Sequence, residues 1–249
     1  MSGHSHWAGI KYKKAALDAK RGKAWSKISR MIIVAAKQGG GDPSANLTLR
    51  YAIDKAKGAN MPKDTIEKAI KKGTGKLEGT SFEEVLYEGY GLNGIAIMVE
   101  ALTDNRNRTG PEVKRIFEKH GGSLGTSGCV NWMFTKKGLI TVNAANANEE
   151  QLLEIALGAG ADDMQAEEEV FEITCDPGAY EELKKALQEK EIPIEVAEIS
   201  MVPQSTIDIS DEHTARRIIS LMEAFEDHED VQNTYANFNI SEEIIAQIS

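Results

Sequence analysis

The residues best equipped to do chemistry are cationic. Lys11, Lys13, Lys14, Lys20, Arg21, Lys23, Lys27 and Arg30 crowd near the amino terminus, interleaved with Trp7, Tyr12 and Trp25. Lysine and arginine neutralise phosphates and release counterions, and aromatic rings stack on bases. Trp25 is equally suited to packing in a core. A second group is Thr103-Asp104-Asn105-Arg106-Asn107-Arg108-Thr109. It follows an apolar stretch and leads into a helix predicted to open at Pro111. Two arginines, Arg106 and Arg108, with two amides at a strand-to-helix loop can meet a phosphate, helped by the helix N-terminus. The same residues could instead hold a local loop through Asx turns and an Asp104–Arg bridge.

Other chemistry finds no foothold. His4 and His6 lack the further ligands that a metal site needs. Lys71-Lys72-Gly73-Thr74-Gly75-Lys76 does not follow the phosphate-loop pattern, and its glycines come after a helix rather than a strand. Tyr87-Glu88-Gly89-Tyr90-Gly91 is no dinucleotide fingerprint and reads as a turn. No motif sets a nucleophile against a base and an acid. The acidic runs Glu167–Glu169 and Glu226–Asp230 are read as solvated surface in preference to cation sites. Two cysteines, Cys129 and Cys175, make neither a disulfide framework nor a four-cysteine zinc site. No enzyme activity, cofactor or metal is therefore expected. No apolar run reaches the roughly 18 residues of a membrane span, and the first residues lack the apolar core of a secretory signal. A cytoplasmic protein is expected.

The elements that must position these residues fall into three groups. The chain of 249 residues has a net charge of −10, very unevenly spread. Residues 1–76 hold 17 Lys+Arg against 5 Asp+Glu, a net of +12, whereas residues 77–249 carry −22. Such asymmetry suggests a polyanion-binding part on an acidic body. Residues 1–20 read as a polar arm. Ile28, Met31, Ile32, Ala35 and Ala36 give residues 22–37 a helical apolar face, with Lys23, Lys27, Arg30 and Lys37 on the opposite stripe. A second helix is predicted from Asp42-Pro43, burying Leu47, Ile53 and part of Tyr51, and a third from Met61-Pro62 to Gly73. These three make a small bundle. Beyond them the spacing predicts strands at 85–87, 95–102, 130–134, 139–142, 170–174, 194–201, 207–209 and 231–238. Helices are predicted at 110–120, 149–157, 179–188 and 215–224, with a short one after Ser241. The fold class is therefore multidomain α+β: a basic helical bundle with its arm (1–77), a discontinuous α+β domain (78–134 and 206–249) and an inserted acidic α+β domain (135–205). The two α+β parts are of ferredoxin-like flavour, given their alternating strands and helices.

Several segments resemble the YebC family. They are Gly3-His4-Ser5-His6-Trp7-Ala8-Gly9-Ile10-Lys11, Asp18-Ala19-Lys20-Arg21-Gly22-Lys23 and Lys27, then Tyr87–Gly91, Glu100–Thr109, Gly121–Gly125 and Val130–Phe134. The motifs occur in order over essentially the whole chain. Gly9, Tyr12 and Leu92-Asn93 depart from the usual pattern. The resemblance implies a helical amino-terminal bundle with two α+β domains, one inserted in the other. It also implies a probable DNA-binding transcriptional regulator; mitochondrial relatives are translational activators, and bacterial ones have been linked to ribosomes. The expected partner is nucleic acid, DNA or ribosomal RNA, with the ribosome as a further candidate. A monomer is expected, and no membrane partner. The lysine-rich stripe suits backbone contact better than base readout, because no helix-turn-helix carrying Arg, Asn and Gln is evident.

Overall fold

The computed structural model describes residues 21–79, 81–166 and 170–248. Trp7, Lys11, Tyr12, Lys13, Lys14 and Lys20 lie outside the described residues, as do the acidic residues 167–169.

Three helices form the bundle: α1 (Arg21–Gly39), α2 (Leu47–Gly58) and α3 (Lys63–Gly73). Their common core is Ile28, Ile32, Ala35, Ala36, Leu49, Ala52, Ala56, Met61, Ile66 and Ala69. The alanines let the helices approach closely. Gly73 does the same, since a methyl there would overlap the Ile33 carbonyl oxygen. The chain leaves α1 through Gly40, whose φ of 84° lies in the left-handed region that glycine adopts without strain. The second helix starts later than Asp42-Pro43. Its N-cap is the buried Asn46, whose side chain accepts from Leu49 N and donates to the Ala35 and Gly40 carbonyls. That registers α2 with its face of Leu49, Ala52 and Ala56 inward, and leaves Leu47 half exposed. Capping and one buried amide outweigh the preference of proline for a first helical turn.

The first sheet has strand order β3-β1-β2-β9, with β1 at Glu83–Tyr90, β2 at Ala96–Thr103, β3 at Ser123–Leu124 and β9 at Val231–Ala236. Every pairing in it is antiparallel. The turn between β1 and β2 contains Asn93 at φ 57°, a left-handed position that asparagine tolerates better than most residues. Helices α4 (Arg106–Lys119) and α7 (Glu212–Glu226) cover one face. There Ile95, Ile97 and Val99 meet Val113, Phe117, Ile218, Met222 and Phe225. Strands β8 (Ile207–Ile209) and β10 (Phe238–Ile240) pair in parallel beside it, and α8 (Glu242–Ile248) follows them. The expected last strand is thus two strands, broken at Asn237, whose side chain accepts from Ala96 N.

The second sheet is built from β4 (Phe134–Asn143), β5 (Ala161–Ala166), β6 (Val170–Cys175) and β7 (Ile194–Pro203), in the order β5-β6-β4-β7 and wholly antiparallel. Helices α5 (Glu149–Gly158) and α6 (Tyr180–Glu189) make the two crossovers, each bridging parallel strands with a third strand between them. This is the ferredoxin-like arrangement. Residues 131–133 form a 3-10 turn instead of the predicted strand, which begins only at Phe134. Strand β5 runs counter to the strand preferences of Asp162, Asp163 and Gln165. It lies at the sheet edge, where pairing with β6 imposes the conformation and charged side chains stay in water. Ala96 and Met98 on the open face of the first sheet pack on Val130, Phe134, Met133 and Met201, which joins the two sheets.

Candidate nucleic-acid interface

The loop after β2 is organised by a carboxylate on the far side of the sequence. Asp230, in the turn just before β9, is 2% exposed. Helix α4 begins at Arg106, not at Pro111, because Asn105 caps it by accepting from Arg108 N. Gly110 eases this, since a side chain before proline would clash in the helical region. The early start places Thr109 within the first turn and inside the protein. A relay follows: Asn105 N donates to Thr103 Oγ1, the Thr103 and Thr109 hydroxyls lie 2.7 Å apart, and Thr109 Oγ1 donates to Asp230 Oδ2 at 2.6 Å. Arg108 donates to Asp230 Oδ2 at 2.6 Å and to Asp104 Oδ1 at 3.0 Å. From α1, Arg30 reaches Asp230 Oδ1 at 2.7 Å and the Glu229 carbonyl at 2.6 Å, with its guanidinium 5.3 Å from the Phe82 ring centroid. Lys27 donates to the Glu226 carbonyl at 2.6 Å. Burial pushes the Asp230 carboxyl up, but Thr109, Arg108 and Arg30 outweigh it and hold it below the ordinary carboxylate range.

This clasp fixes the bundle to the first sheet and decides which cations face solvent. Lys27, Arg30 and Arg108, three of the candidate contacts, converge on the turn Glu226–Asp230. Arg108 remains 44% exposed at its side chain, while Arg30 is only 15% exposed. Arg106 stands apart from them, largely exposed, 3.7 Å from Glu83. The backbone of α1 includes Arg21 and Lys23, whose side chains lie outside the described part. Trp25 donates from Nε1 to the Ala59 carbonyl and packs on the bundle core. Among the cations absent from the candidate contacts are Lys68, Lys71 and Lys72, exposed on α3, and Lys76 just beyond it. Their signal is present in the sequence: spacings of three and four put Lys68, Lys71 and Lys72 on one helix face, opposite the buried Ile66 and Ala69.

The Tyr87–Gly91 segment has an internal task. Glu88 is 2% exposed and accepts from the backbone N–H groups of Gly128, Val130 and Asn131 at 2.7–2.9 Å. Burial pushes its carboxyl up, yet those three donors leave it below the ordinary range. Gly89 lets the loop come close, because a methyl there would sit 2.5 Å from the Ser123 carbonyl oxygen. The bundle and both sheets also enclose a cleft of about 730 Å³. On its floor Glu100 accepts from Asn233 and Tyr235, whose hydroxyl is held far above its ordinary pKa by burial and by that carboxylate. Among the described residues, no group of His, Cys, Asp and Glu side chains is placed to hold a metal. No helix among them is long and apolar enough to cross a membrane.

A small basic helical bundle clasped to a fused pair of α+β sheets defines a recognisable class of protein. Residues 5–76 match the family described as "TACO1/YebC protein N-terminal domain", and residues 82–238 match "TACO1/YebC second and third domain". The chain belongs to the TACO1/YebC family. A protein of Natranaerobius thermophilus is 51% identical over 98% of this chain and 99% of its own, and one of Geobacter sulfurreducens is 54% identical over 98% of each. Both are named probable transcriptional regulatory proteins. The crystal structure of a conserved hypothetical protein of Aquifex aeolicus superposes with a TM-score of 0.84, at 54% identity, over 97% of this chain and 99% of its own.

Proposed function

We propose that the chain is a non-enzymatic, nucleic-acid-binding regulator of gene expression, acting in the first instance as a DNA-binding transcriptional regulator. The observation that carries this reading is the exposed lysine face of α3, presented by a bundle that is fixed to an acidic body. Lys68, Lys71 and Lys72 gather toward the C-terminal end of α3, with the acidic Asp64 and Glu67 nearer its start. A polyanion whose phosphates meet these lysines releases its own counterions. The names of the relatives supply the transcriptional part of the reading. The candidate arm at residues 1–20 continues the same charge and supplies Trp7 and Tyr12 for stacking.

A second reading, a ribosome- or RNA-binding translation factor, is favoured by one feature of the same helix. Its solvent side offers lysines beside Asp64 and Glu67, and no Arg, Asn or Gln for base edges. Lysine contacts to phosphate serve folded RNA as well as duplex DNA. Reversing Lys68, Lys71 and Lys72 to Glu tests the shared part. Filter binding should show weaker binding to all sequences alike, and each lost phosphate contact should lower the slope of log affinity against log salt by about 1. Unchanged affinity and slope would remove α3 from the interface.

A further inference from the structure

The loop after α4 is the least charged stretch of the acidic body and bears its most exposed ring. Residues 121–135 contain no Asp, Glu, Lys or Arg. Within them Trp132 is 65% exposed. Its indole Nε1 donates to the Cys129 carbonyl at 3.0 Å, and the Tyr90 hydroxyl donates to the same oxygen at 3.1 Å. Two exposed rings are thereby fixed around one atom. Neither belongs to the ring pairs or cation–ring contacts among the described residues, and Tyr90 too is exposed, at 36%. Their mount is stiff. The Glu88 carboxylate holds Gly128, Val130 and Asn131, and the Glu88 carbonyl accepts from Gly125 N. An indole displayed to water on a rigid, charge-free loop has little to gain there unless something stacks on it.

We propose that Trp132 and Tyr90 form a stacking platform for an unpaired nucleobase, of RNA or of DNA. This rests on the nucleic-acid reading above and adds a contact separate from the lysines of α3. Every base has a π-face, so stacking tolerates any sequence. Most of the body repels phosphate, but this loop does not, and exposed Lys119 and Lys136 flank it in the chain. Asn131, exposed beside Trp132, offers a donor and an acceptor to a base edge. Duplexes hide the faces of their bases, so the platform selects single strands, loops and ends.

The test uses the full chain with single-stranded RNA, single-stranded DNA and a duplex of equal length, at low salt. Trp132→Phe gives the Trp132 emission by difference from the wild type, and Trp132→Ala gives the affinity loss. The Trp132 emission should be quenched by a single strand more than by the duplex. Trp132→Ala should weaken single-strand binding about tenfold, while Trp132→Phe retains most of it. The stronger quencher of the two single strands identifies the source. Binding that depends on the α3 lysines but leaves Trp132 emission and the Trp132→Ala affinity unchanged would overturn the platform alone. No binding to any of the three would overturn the nucleic-acid reading, and the platform with it.

Discussion

Asp230 receives Arg30 from α1 and both Arg108 and Thr109 from the first turn of α4, so its charge matters to both elements at once. Replacing it by Asn keeps the shape but leaves two guanidiniums facing a neutral amide. Arg108 is half exposed and can return to water, whereas Arg30 cannot easily do so. We expect Asp230→Asn to cost about 2–3 kcal/mol in urea unfolding. The pH dependence has a definite sign. The folded carboxyl lies below its ordinary value of 3.8, so its contribution is fully present above that value and is lost as pH falls through the folded pKa. The gap between wild type and Asp230→Asn should therefore close on acidification; a gap independent of pH down to strongly acid solution would refute the assignment. At this scale the sequence is only half legible. The types of Lys27, Arg30 and Arg108 announce charge-assisted contacts, and an Asp104–Arg108 bridge is foreseeable from their spacing. The main partner is not, because Asp230 lies 200 residues from Arg30 in a run that resembles solvated surface.

Elements are easier to place than their ends. Apolar spacing locates the three bundle helices and most strands, since burial on one face leaves a period in the sequence. The starts of α2 and α4 are set instead by the caps Asn46 and Asn105, and Asn46 also ties α2 to the end of α1. Strand β5 leaves no period at all. The packing of α1 on α3 makes a direct prediction. Gly73→Ala would drive a methyl into the Ile33 carbonyl and against Ala36, so α3 must move or its last turn must open. Overpacking of this kind costs about 1–3 kcal/mol. Hydrogen exchange should rise in Thr74–Leu77, whose amides bond to the end of α3. An unaltered exchange pattern and stability would show that the two helices are not in contact at this point.

For the whole molecule, charge is the most legible property. The division into a +12 part and a −22 part can be counted directly from the amino-acid sequence. How the two parts meet cannot, since it depends on pairings between residues far apart in the chain. Rather than hanging as a free basic module, the bundle commits Lys27 and Arg30 to the acidic turn between α7 and β9 and keeps α3 outward. Opposite charge thus serves twice, once to hold the parts together and once, as proposed above, to meet a nucleic acid. The most direct measurement is ultraviolet crosslinking in the native cell, with sequencing of the attached nucleic acid and mapping of the crosslinked peptides. Crosslinks are expected within residues 1–79, to promoter DNA if the protein regulates transcription and to ribosomal RNA if it acts in translation. Absence of crosslinked nucleic acid, or crosslinks confined to the acidic sheet β5-β6-β4-β7, would contradict a nucleic-acid-binding role for the basic bundle.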